Sequence, residues 1–136
     1  MRHFRLALAA LSLFAFAGLV HARSAPLVDP DPVAIPTGLS EEQIVKDIKR
    51  ALIGRGWSVT TEQPGEIQST LNLRDHVARI KVSYDAQQVR LAYMDSSNLD
   101  YKLKRGKPVI HGNYLGWIGF LVNDLNTNFT VSAAGG

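Results

Sequence analysis

The residues able to do chemistry gather in two places. His76 follows Asp75, and His111 lies downstream of Asp95, Ser97 and Asp100. A metal site would combine one of these histidines with Asp75, Asp95 or Asp100, but none of them has the local spacing of a metal motif, such as a His pair at i and i+4 on a helix. Ser97, His111 and Asp95 could be written as a hydrolytic triad, yet no G-x-S-x-G elbow frames either serine of "DSSN". No phosphate-binding loop or dinucleotide fingerprint is present. The chain has no cysteine, which removes thiol catalysis, redox exchange and Cys-ligated metals. The reading is a non-enzymatic protein with neither a cofactor nor a metal.

What remains is binding. Residues 95–117, "DSSNLDYKLKRGKPVIHGNYLGW", hold a polar turn, a basic run, one proline and the start of a helix. Asp95, Ser96 and Asn98 suit a turn because their short side chains bond nearby backbone amides. Asp95, Asn98 and His111 are expected to form a polar cluster that fastens this connection to the following helix. Tyr101 and Tyr114 stand around it, and these five residues are the candidate site for a partner or small ligand. Lys102, Lys104, Arg105 and Lys107 read either as a solvated loop or as an anion-binding edge for lipid headgroups, lipopolysaccharide phosphates or cell-wall phosphates.

The elements that must position these residues follow from periodicity. Ser40 and Gln43 make a capping box, and Ile44, Ile48 and Leu52, with Val45 and Ala51, form one helical stripe. Gly54 and Gly56 end it. Trp57, Val59 and Thr61 then alternate with polar residues as in a strand, and "QPGE" at 63–66 places Pro and Gly for a type II turn. Three more strands follow. They turn Ile67, Ser69 and Leu71, then Ala78, Ile80 and Val82, then Val89, Leu91 and Tyr93 to one face. His76 shares the parity of Ala78 and belongs at the rim of that face. Arg79, Lys81 and Arg90, with Glu62 and Glu66, fall on the outer face. Tyr114, Trp117, Ile118, Leu121 and Leu125 make the stripe of a final helix. The expected fold is a two-layer α+β domain of order α-β-β-β-β-α: a four-stranded antiparallel meander with both helices on one face.

The ends of the chain read differently. Arg2 and Arg5 precede 15 apolar or small residues, Leu6–Val20, in which Ser12 is the only polar one. Val20-His21-Ala22 then offers a signal-peptidase site, so residues 1–22 read as a signal peptide cleaved after Ala22. The run falls short of the roughly 20 residues of a membrane span. Cleavage leaves no transmembrane segment, and a periplasmic or secreted location follows. Lys and Arg number 15 against 12 Asp and Glu; without Arg2 and Arg5 the balance is 13 to 12. So small a surplus gives no nucleic-acid footprint. Residues 23–39 carry four of the six prolines and read as a linker. Residues 40–130 form one domain, and 131–136 a flexible tail.

The motifs "RGWSV" (55–59), "PGEI" (64–67), "LRDHVARIKVSYD" (73–85), "YMDSSNLDY" (93–101) and "IHGNYLGWI" (110–118) resemble a family of small exported proteins and lipoproteins of proteobacteria. The resemblance covers most of the mature domain. It implies a cell-envelope location and an α/β architecture, and it implies no reaction. Many members carry a lipid-accepting Cys that this chain lacks. The expected function is therefore an envelope binding module for a protein or an anionic envelope polymer. The alternative is a small-ligand or anion binder at 95–114.

Overall fold

The computed structural model describes residues 24–135; the expected signal peptide lies outside them. In chain order the elements are β1 (Ser24–Pro26), β2 (Val33–Ala34), α1 (Glu41–Gly54), β3 (Trp57–Gln63), β4 (Glu66–Leu73), β5 (His76–Tyr84), β6 (Gln88–Ser97), β7 (Lys102–Lys104), β8 (Lys107–His111) and α2 (Gly112–Ala133). Ser40 caps α1 as its sequence demands, its hydroxyl accepting from the Gln43 N–H at 3.1 Å. Pro64 and Gly65 turn β3 into β4, with Gly65 at φ 80°, a conformation glycine adopts without strain.

The α+β class and the antiparallel pairing are as expected, but the strands form two sheets rather than one four-stranded meander. A five-stranded sheet runs β2-β6-β5-β4-β3, and a three-stranded sheet runs β1-β8-β7. The extra strands come from two stretches without a readable alternation. Residues 23–39, expected as a linker, supply β1 and β2, and place Val33 and Ile35 in the core. Both strands lie at sheet edges, where a proline's missing N–H breaks no ladder. Residues 102–111 form the β7–β8 hairpin. Its two central residues, Arg105 (φ 54°) and Gly106 (φ 77°), give the left-handed turn that matches strand twist.

The core lies between the inner face of the large sheet and the two helices. Ile67, Ala78, Ile80, Val82 and Val89 are wholly buried there beneath Ile44, Ile48 and Leu52 of α1 and Leu121 and Leu125 of α2. Two register shifts re-aim side chains. One, between Val59 and Thr61, turns Glu62 away from the outer face expected for it, and its carboxylate meets Lys49 of α1 at 2.7 Å. The other, between Arg79 and Ile80, makes Tyr93 face Ile80 while Asp95 faces Arg79. On α2 the buried stripe is Tyr114, Ile118, Leu121, Leu125 and Phe129. Trp117 is only half-buried at its flank. The expected tail is part of this helix as far as Ala133. Among the described residues no helix is long and apolar enough to cross a membrane.

Phe129 closes the core where the two helices meet the sheet. Phe129→Ala is expected to lower stability by about 3–5 kcal/mol in urea unfolding, the range for emptying a buried aromatic site. A loss below about 1 kcal/mol would show that this end of α2 is not packed.

Candidate functional site

The connection from β6 to β7 is built from two left-handed residues, Asn98 (φ 60°) and Asp100 (φ 55°), on either side of buried Leu99. Asn and Asp tolerate this conformation better than other residues with a side chain. Leu99 plugs the core, and its carbonyl accepts the His111 N–H at 2.8 Å. That bond joins the loop to the last residue of β8.

Three side chains complete the fastening. His76 donates its Nδ1–H to the Asn98 carbonyl at 2.7 Å, since a carbonyl oxygen can only accept. Asn98 Nδ2 donates to the Asp75 carbonyl at 3.3 Å, tying the β4–β5 turn to the same loop. His111 Nδ1 accepts the Asn113 N–H at 3.1 Å and so caps α2. The two rings thus differ at Nδ1, which carries a proton in His76 and offers a lone pair in His111. Their ring centres are 6.3 Å apart, and Trp117 lies 6.2 Å from His76.

Asp95 does not join this cluster, contrary to expectation. The register shift in β6 sends it outward to Arg79, at 3.5 Å with both side chains 57% exposed, a pairing worth little in water. The place expected for Asp95 beside the loop is taken by His76.

Tyr101 and Tyr114 belong to an aromatic ladder. Tyr101, 45% exposed, stacks on Tyr93 with ring centres 5.3 Å apart, and Tyr93 meets buried Tyr114 edge-on at 5.5 Å. The Tyr93 hydroxyl bonds Ser96 Oγ at 2.7 Å, and its backbone N–H donates to Asp29 at 3.0 Å. Burial pushes the Tyr114 phenol well above its ordinary pKa, with smaller contributions from Asp29 and Tyr93. Burial also raises Tyr93, against the lowering effect of its bond to Ser96. Parity could have shown His76 and Tyr93 to be part of this assembly, since both fall on the inner face. Asp29 left no such signal, because its segment has no period.

Lys102, Lys104, Arg105 and Lys107 are all exposed on the hairpin. Cross-strand partners share a face. Lys104 opposes Lys107 directly, and Lys102 opposes Val109, so three ammonium groups project from one side while Leu103 and Pro108 take the other. Among the described residues the ion pairs are Lys49–Glu62, Arg55–Asp124, Arg79–Asp95 and Lys81–Glu66. The hairpin cations are in none of them.

No family model, curated protein or solved structure matches the chain. Among the described residues no group of three or more His, Asp or Glu is arranged to hold a metal ion.

Both raised phenols stay protonated in the folded state where the unfolded chain, titrating near 10, loses its protons. The stability they contribute is present in full below that pH and is lost as the pH rises above it. Ultraviolet titration should show a tyrosine that ionises only as the protein unfolds in alkali, and Tyr114→Phe should remove that late component. A titration left unchanged by Tyr114→Phe, with no late component in the unaltered chain, would contradict the burial of Tyr114.

Proposed function

We propose that the mature chain is an exported bacterial cell-envelope protein without catalytic activity, which docks through the β7–β8 hairpin onto phosphate groups of an anionic envelope surface. The observation that carries this reading is the direct opposition of Lys104 and Lys107, beside Lys102, with no carboxylate partner among the described residues. Like charges opposed across a strand pair destabilise it. A phosphate between them turns that repulsion into charge-assisted hydrogen bonds. The cations of the open sheet face differ, because Arg79 and Lys81 already face Asp95 and Glu66. Export is supported by Arg2, Arg5 and the apolar run Leu6–Val20, and the envelope location also by the resemblance of motifs such as "YMDSSNLDY" and "IHGNYLGWI". The fastened loop serves as the rigid base of the hairpin: His76, Asn98 and the Leu99–His111 backbone bond hold it to the body of the fold.

The test is sedimentation of the mature chain with anionic and with zwitterionic phospholipid vesicles. Binding should need the anionic lipid and weaken with added salt. A surface lysine contributes about 1 kcal/mol near an anionic membrane, so the double variant Lys104→Gln, Lys107→Gln should bind roughly 30-fold more weakly. Its thermal melt should be unchanged or slightly raised. Equal binding by the double variant would contradict the proposal, as would equal binding to both vesicle types.

A further inference from the structure

Among the described residues one buried side-chain polar atom has no hydrogen-bond partner, the indole Nε1 of Trp57. Trp57 is 2% exposed, so its N–H has lost water and gained nothing. Native folds rarely leave a donor in that condition. The same residue lines a cleft of about 160 Å³ where β3 and β4 meet the first half of α2. Leu71, Leu73, Trp117 and Phe120 complete the apolar lining, and both tryptophans of the chain take part. Leu73 and Phe120 are 42% and 49% exposed, which leaves the mouth open to solvent.

The electrostatics of the rim are already settled. Arg55 bonds Asp124 through Nε at 2.7 Å and through its terminal nitrogen at 3.1 Å. Its guanidinium also lies 4.7 Å from the centre of the Phe120 ring. The Arg55 hydrogen bond holds the Asp124 carboxyl below the ordinary carboxylate range. The pair is therefore ionised and self-neutralised, and it positions Phe120 without offering a net charge to an entering molecule.

We infer that this cleft is a binding site for a small neutral molecule with one apolar ring and one acceptor oxygen. Its size suits a single ring, since an apolar cavity of about 150 Å³ takes up one benzene. The oxygen supplies the acceptor that Trp57 lacks. The N–H is shielded from solvent, so the oxygen reaches it as the exposed Leu73 and Phe120 side chains move aside for the ring. The site stands apart from the hairpin and does not depend on its role.

Two probes of similar shape separate ring from acceptor: cyclohexanone, and methylenecyclohexane, which has no oxygen. The two indole N–H resonances of the folded chain, assigned with Trp117→Phe, report both. Both probes should shift the Trp117 signal. Only cyclohexanone should move the Trp57 signal downfield, and it should bind about five-fold more tightly, the gain from one net hydrogen bond. Trp57→Phe should abolish that preference, and Leu73→Trp, which fills the mouth, should abolish binding of both probes. An unmoved Trp57 signal with cyclohexanone, equal affinity of the two probes for the unaltered chain, or no binding of either would overturn the inference.

Discussion

A carboxylate buried between two helices must find its hydrogen bonds inside the protein, and Asp47 finds them on α1 and α2. It is wholly buried. Its two oxygens accept from Gln43 Nε2 at 2.9 Å and from the Ser132 hydroxyl at 2.7 Å, and its backbone carbonyl accepts from Asn128 at 3.0 Å. Gln43 Nε2 also reaches the Ser132 hydroxyl at 3.1 Å. A buried charge without such partners would cost more than a small domain can spare, so the helices are held in the one register that satisfies it. Apolar contacts alone tolerate sliding, whereas a polar network does not. That register sets where α2 begins. His111, Tyr114 and Trp117 thereby meet His76 and Tyr93 of the sheet, and β8 leaves the body at a fixed point.

The hairpin inherits this rigidity. Its base is held by the Leu99–His111 backbone bond and by the His76–Asn98–Asp75 bridge. Its tip is held by a turn that needs the two left-handed residues Arg105 and Gly106. Four cations on a flexible loop would relax apart. On a two-stranded ribbon Lys104 and Lys107 stay opposed, and the free energy of that repulsion is released when an anion arrives. The separation of charge over the molecule supports the same division of roles. On the open sheet face Arg79 and Lys81 are matched by Asp95 and Glu66, whereas none of the hairpin cations is in an ion pair among the described residues.

Much of the body was legible in the sequence because burial on one side leaves a period. Ile44, Ile48 and Leu52 announced α1, and the alternation from Ile67 to Tyr93 announced the central strands. What escaped notice was the structure that carries no period. Val33 and Ile35 sit among prolines whose local preferences mask an edge strand, and β7 and β8, of three and five residues, are too short to show an alternation. The register shift in β6 cannot be read from residue types, and it alone decides that Asp95 turns to Arg79 instead of His111. Asp47 was invisible for a related reason: a carboxylate beside an apolar stripe reads as solvated until its partners 81 and 85 positions away, Asn128 and Ser132, are in place. Of the expected site, Asn98 and His111 are brought together around the loop. Tyr101 and Tyr114 are linked through Tyr93, which sequence reasoning had left in the sheet.

The central claim is that unpaired charge on a fixed hairpin, rather than the open sheet face, meets the anion. The most direct measurement is a backbone amide chemical-shift map of the folded mature chain titrated with inorganic diphosphate. Saturable shifts confined to residues 102–107 and their cross-strand neighbours, suppressed by salt, are the expected result. Shifts centred on Arg79, Lys81 and Arg90, or none at the hairpin, would contradict it.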